Sequence, residues 1–209
     1  ETGSGDADTD TDADTDTGTG ADYAHTIAID GANDFDAEDE QLATSSGGYS
    51  AFAAWDADFL YLGMEGPDVA DGGASCWLVV YLGAATAAAA TTTGVLYNTQ
   101  QPGLPFAATW HVGWRASNDY TYALAYDGAA WSDSGWDFAG DVYADDDFVE
   151  LRIPLSDLGD PATVDLAAYM LTEEASSEWS YAAVPAGAFT DGYDVDPASY
   201  YAFELGGTT

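Results

Sequence analysis

The sequence predicts an all-β fold, a sandwich or a barrel, and three observations predict it. Apolar residues alternate with polar or small ones along most segments after residue 22. Turn residues recur about every 8–12 positions. No long segment carries the 3.6-residue apolar period of a helix. Composition permits a packed core, since 47% of the 209 residues are apolar and 14% are aromatic. That length corresponds to roughly one domain plus a tail.

Residues 1–22 stand apart. Aspartate alternates with alanine or threonine from Asp6 to Thr17, and glycine and threonine follow. Nothing there can bury apolar surface, and like charges extend the chain, so a disordered acidic linker to an upstream domain is expected. Glu1-Thr2-Gly3 reads as the scar of a cleaved secretion signal. A calcium-binding Asp-x-Asp repeat is the alternative for this stretch, but it lacks the glycine turn and terminal bidentate acid of an EF-hand loop. The β domain is expected over 23–209.

Ile27 and Ile29 open the first period-two stretch. Residues 49–55 and 59–64 flank Asp56-Ala57-Asp58 and read as a hairpin. Residues 76–82 form a glycine-bounded strand. Cys76 within it reads as a buried small hydrophobe, and one cysteine allows no intrachain disulfide. The Ala/Thr-rich segment 84–93 reads as a mobile loop rather than a helix. Residues 110–115 and 120–126 flank Asn118-Asp119, a further hairpin, and Asp127-Gly128 marks a tight turn before 129–131. Strands over 136–143 and 148–153 flank Asp145-Asp146-Asp147. Pro154 ends a strand, and 155–158 is the one helical candidate, with Ser156 as its cap. Strands over 164–171, 179–184 and 200–205 complete the set.

Charge excludes several partners. The chain carries 38 Asp+Glu against 2 Lys+Arg, a net charge of −36. Its two cations are Arg115 and Arg152. Nucleic acid is excluded, because phosphate binding needs Lys and Arg to release counterions, and anionic membrane surfaces are disfavoured for the same reason. No run of about 18 apolar residues exists, so no membrane insertion is expected. A charge of −36 calls for a salty or calcium-containing medium that screens it. Lysine-free, Asp-rich surfaces of this kind resemble those of halophilic proteins and of marine bacterial secreted proteins. The expected location is extracellular or at the cell surface.

Three stretches carry a resemblance. They are Ile27-Ala28-Ile29-Asp30-Gly31, then Ala54-Trp55-Asp56-Ala57-Asp58-Phe59-Leu60-Tyr61-Leu62, and Val149-Glu150-Leu151-Arg152-Ile153-Pro154-Leu155-Ser156-Asp157-Leu158-Gly159. Their order and spacing resemble the DOMON-like superfamily, in particular family 9 carbohydrate-binding modules, over roughly residues 25–205. The resemblance implies a two-sheet antiparallel β-sandwich of about nine to eleven strands. It also implies a non-catalytic carbohydrate-binding module, in which two tryptophans sandwich a terminal sugar.

Trp55 and Trp77 lie inside apolar runs and read as core. Trp114, Trp131, Trp136 and Trp179 lie beside turn or polar residues and are the candidate sugar platforms. Trp131 and Trp136 are the preferred pair, because Ser132-Asp133-Ser134-Gly135 lets the chain turn between them. Arg115 is the candidate polar contact, with ion pairing as its alternative role. The resemblance raises structural calcium as a candidate ligand, at Asp30, Asp34 and Asp36 or at Asp191, Asp194 and Asp196, where oxygen-only ligands suit a hard cation. No organic cofactor is expected. Haem, the minor alternative in this superfamily, would draw on Met64, Met170, His25 and His111. No catalytic motif stands out, and His111 reads as a strand residue. The expected partner is a glycan or a cell-surface component. The alternative is a structural or adhesive module stabilised by salt or calcium.

Overall fold

The computed structural model describes residues 24–71, 73, 75–174 and 176–205. The linker expected over 1–22 lies outside them. In chain order the elements are β1 (Gln41–Ala43), β2 (Ser50–Trp55), β3 (Phe59–Glu65), α1 (Pro67–Asp71), β4 (Cys76–Ala84), β5 (Thr91–Thr93), β6 (Gly103–Ala108), β7 (Trp110–Arg115) and β8 (Tyr120–Tyr126). There follow β9 (Trp131–Asp133), β10 (Val142–Asp145), β11 (Phe148–Pro154), a 3-10 turn (Leu155–Leu158), β12 (Thr163–Thr172), β13 (Trp179–Val184) and β14 (Tyr201–Glu204).

Two antiparallel sheets face each other. The smaller has the order β1-β2-β3-β11-β10, and the larger β13-β12-β4-β7-β8-β9, with β14 also pairing β12. One apolar cluster joins them: Leu60, Leu62, Met64 and Leu151 from the small sheet meet Leu78, Val80, Val112 and Met170 from the large one. The strands β5 and β6 form a separate pair.

Both sheets are also covered on their outer faces, which explains a departure from strict alternation. The outer face of the large sheet buries Val79, Tyr81, Ala167 and Tyr169 against Tyr97, Leu104 and Phe106. The outer face of the small sheet buries Phe52, Tyr61 and Phe148 against Ile27 and Phe35. Strands covered on both sides become continuously apolar. In β4, Cys76–Ala84, every residue after the first is buried.

Several expectations change. Ile27 and Ile29 lie in no strand. The amides of Asp30 and Gly31 both donate to Glu150 Oε1, each at 2.6 Å, so they are unavailable to a ladder. This clasp joins two of the stretches that carry the sequence resemblance. Asp56, in the third, accepts from the amides of Asp58 and Phe59, the Tyr61 hydroxyl and the Thr26 hydroxyl, which shapes its hairpin and anchors the N-terminal segment. Ser156 caps nothing; the 3-10 turn follows Pro154 without a side-chain cap and ends at Gly159, φ 80°. Cys76 is only half-buried. The strand expected over 136–143 is displaced to Val142–Asp145, because 134–141 carries the chain from one sheet to the other. Part of the expected loop over 84–93 pairs with β6 as β5.

Candidate functional site

The site lies where the two sheets part. The strand β9 covers β8 at Leu124, Ala125 and Tyr126, and the Ser134 amide donates to Ala123 O at 3.1 Å, so the stretch from Tyr120 to Tyr122 remains an edge. The crossing segment then carries Trp136 and Phe138 beneath that edge before the chain joins the small sheet as β10. Two adjoining hollows result. One, of about 540 Å³, is lined by Trp114, Asp119, Tyr120, Phe138 and Tyr143 among others. Another, of about 350 Å³, shares Tyr120, Thr121 and Phe138 and extends to Asp133 and Trp136. Together they form a groove along the β8 edge.

Local chemistry sets its aromatic walls. Tyr120 is 51% exposed and Tyr143 49% exposed. Tyr120 pairs with Arg115 at the mouth of the β7–β8 hairpin, where Asn118 Oδ1 accepts from Arg115 Nε at 2.8 Å and from the Tyr120 amide at 3.3 Å. Tyr143 is seated by Gly31, where an added Cβ would stand 2.9 Å from the ring, and where φ is +89°. The clasp on Glu150 therefore helps to place Tyr143 at the rim of the groove, with its ring on the outer face of the small sheet. Trp136 and Phe138 pack with ring centroids 4.4 Å apart, and Trp136 Nε1 donates to Asp141 Oδ2 at 3.3 Å. Asp141 in turn pairs with Arg152 at 2.7 Å, and this contact pins the crossing segment.

The preferred pair of tryptophans does not form. Trp131 lies on the outer face of the large sheet, packed on Tyr81, His111 and Tyr126, with Nε1 donating to Thr93 O at 3.0 Å. Trp136 packs against the inter-sheet core. Successive strand positions alternate faces, and the chain leaves the sheet after Asp133, so the two rings part. Trp114 lines the groove but is only 1% exposed, which makes it floor rather than platform. Trp179 is 48% exposed at the start of β13, the opposite edge of the large sheet. Arg115 stands beside the groove, its guanidinium 5.4 Å from the Tyr120 ring centroid.

Five of the six aspartates expected to hold metal accept hydrogen bonds from the protein itself. Asp30 Oδ1 accepts from the Ala32 amide and Asp36 Oδ1 from the Glu38 amide. Asp191 accepts from the Ser45 and Ser46 hydroxyls, both at 2.6 Å, Asp194 from the Gln101 amide, and Asp196 from the Gly103 amide. Of these last three carboxylates, Asp191 binds the 45–46 segment, while Asp194 and Asp196 bind amides two residues apart at the entry to β6. Among the described residues no three His, Cys, Asp or Glu side chains gather into a metal-holding group. Met64 and Met170 are sealed in the core.

A second polar cluster is sealed under β5 and β6. His111 Nδ1 donates to Val80 O at 3.0 Å, so Nε2 is the acceptor, with the Tyr97 hydroxyl 2.8 Å away. The Tyr122 hydroxyl is hydrogen-bonded to that of Tyr97. Burial pushes the imidazole down to about 3 and raises the Tyr97 phenol well above its ordinary range.

Sequence reasoning missed Tyr120, Tyr143 and Phe138. Tyr120 carried a usable signal, an aromatic directly after a turn at the start of a strand. Tyr143 carried none, because its exposure depends on β10 being a sheet edge. No family model, curated protein or solved structure matches this chain.

Proposed function

We propose that the chain is a non-catalytic carbohydrate-binding module of a secreted or cell-surface protein, related to the DOMON-like family 9 modules, and that the groove along β8 is its binding site. The observation that carries this reading is a concave hollow of about 540 Å³ at the open sheet edges, lined by Trp114 and Phe138 and bordered by the half-exposed residues Tyr120 and Tyr143. The C–H faces of a sugar are apolar and stack on aromatic rings, while Asp119, Thr121 and the open β8 edge offer partners to its hydroxyls. The joined linker would tether the module to an upstream domain. Affinity for a single sugar unit is expected to be weak, since a shallow groove buries little of a small ligand. Tyr120→Ala and Tyr143→Ala each weaken binding about tenfold, by loss of roughly 1–2 kcal/mol of apolar contact, with unchanged circular dichroism. Titration of a glycan panel followed by tyrosine-ring NMR checks this, and affinities unaltered by both substitutions would refute the site.

One observation favours a second reading, a module stabilised by a bound cation. Glu150 is 0% exposed, and its Oε2 has no hydrogen-bond partner among the described residues. Burial raises its pKa against the pull of the two clasping amides, and the charges of Asp30 and Asp34 raise it further. A calcium ion on Glu150 Oε2, its other ligands being backbone oxygens and water rather than a gathered set of carboxylates, would offset this buried charge. Addition of CaCl2 then raises the melting temperature by several degrees beyond NaCl of equal ionic strength, and Glu150→Gln removes the difference. Identical melts in calcium and in chelator would count against it.

A further inference from the structure

The two arginines of the chain are used differently. Arg152 forms an ion pair with Asp141 at 2.7 Å. Arg115 forms none among the described residues, although the chain has 38 Asp+Glu. Its guanidinium instead lies 5.4 Å from the ring centroids of both Trp77 and Tyr120. Nε is held by Asn118 Oδ1 at 2.8 Å, the one hydrogen bond of this side chain among the described residues. The remaining guanidinium donors are therefore oriented but uncommitted, on a side chain that is half-buried at the end of β7.

We infer that Arg115 reads a carboxylate on the ligand, so that the groove takes an acidic sugar, a uronic acid, in preference to its neutral counterpart. This rests on the carbohydrate reading of the groove. Tyr120 is shared: it lines both hollows and also contacts the guanidinium. A pyranose stacked on Tyr120 brings an exocyclic carboxylate within reach of Arg115. The planar fork matches a carboxylate in two parallel hydrogen bonds, and packing against two rings leaves it weakly hydrated and preset. The net charge of −36 opposes any anion at long range. At about 1 M salt the Debye length falls to about 3 Å, so that repulsion is screened, whereas a bidentate contact acts at hydrogen-bond distance and persists.

The test titrates the full chain in 2 M KCl with methyl glucoside, methyl glucuronide, methyl galactoside, methyl galacturonide and sodium acetate. Tyrosine-ring NMR supplies the readout. At least one uronide is expected to bind about tenfold or more tighter than its neutral partner. Arg115→Met, which keeps an apolar stem beside Trp77 and Tyr120, reduces that ratio to near one. A ratio near one in the wild type, or a preference that survives Arg115→Met, overturns the inference while leaving the groove reading standing. Acetate binding as tightly as the uronide overturns the sugar class. No response to any sugar overturns the groove reading and this inference with it.

Discussion

Transfer from 2 M KCl to 50 mM KCl lowers the melting temperature of this domain by about 10 °C or more, equivalent to several kcal/mol for a chain of this size. The cause is a net charge of −36 with almost no compensating cations. Among the described residues the arginine ion pair is Arg152–Asp141, and the other close contact is a hydrogen bond between His25 Nδ1 and Glu40 Oε2 at 3.2 Å. Repulsion among the other carboxylates reaches about 10 Å or more at low salt and about 3 Å at 1 M. Salt does not dismantle the useful contacts at the same time, because these are short-range. Asp191 holds two serine hydroxyls, Asp194 and Asp196 hold loop amides, and Glu178 accepts from the Thr99 amide and hydroxyl and from Asn98. The carboxylates thus staple loops at hydrogen-bond distance while repelling one another at longer range. Thermal melts across a KCl series measure the effect, with sucrose as a control for solute exclusion. Equal midpoints at both salt concentrations would show that the acidic surface carries no net destabilising field.

Acidification below pH 6 destabilises the wild-type domain relative to His111→Asn. In the folded chain His111 is neutral, with Nδ1–H on Val80 O and Nε2 accepting from Tyr97, and burial holds its pKa at about 3. In the unfolded chain an imidazole takes up a proton below about 6.5. Between these values the unfolded state binds the extra proton, so stability contributed by His111 is fully present above pH 6.5 and declines as pH falls towards 3. At about 1.4 kcal/mol per pH unit the full window amounts to something on the order of 5 kcal/mol. Glu150 works in the opposite direction, since its raised pKa favours the folded state as pH falls. Protonating surface carboxylates also relieves repulsion. The diagnostic quantity is therefore the difference between wild type and His111→Asn, whose amide can still donate to Val80 O but does not take up the proton. Urea unfolding at pH 7, 5 and 4 in high salt supplies it, and parallel pH curves for the two proteins would mean that His111 is not held neutral by burial.

The turn chemistry was legible along the chain because it is local. Asp56 with Asp58, Asn118 with Tyr120, and Asp127 with Ala129 and Ala130 each act within a few residues, through side-chain carboxylate or amide oxygens accepting from nearby backbone amides. The tryptophans read as core, Trp55 and Trp77, are buried, Trp55 between the sheets and Trp77 in the outer cluster of the large sheet, as expected of indoles within apolar strands. Ile27 and Ile29 misled, because alternation over three residues is satisfied equally by a strand and by an extended segment lying across a sheet. What decided between them was Glu150, more than a hundred positions away, drawing the Asp30 and Gly31 amides out of any ladder.

The candidate site depended even more on such long-range decisions. Aromatic residues beside turns were legible, but the pairing of Trp131 with Trp136 assumed that nearness in sequence is nearness in space. The outer faces tell the same story: only the packing of 24–40 over one sheet and of β5 and β6 over the other seals both, and only this makes His111 a buried base. Composition, charge, turn positions and the all-β character were set by the sequence itself, because they arise from side-chain chemistry and neighbours a few residues apart. Which sheet edge stays open, which rings reach water and which arginine goes without an acid were decided by the tertiary structure, because burial and strand order come from contacts between distant segments that no local pattern encodes.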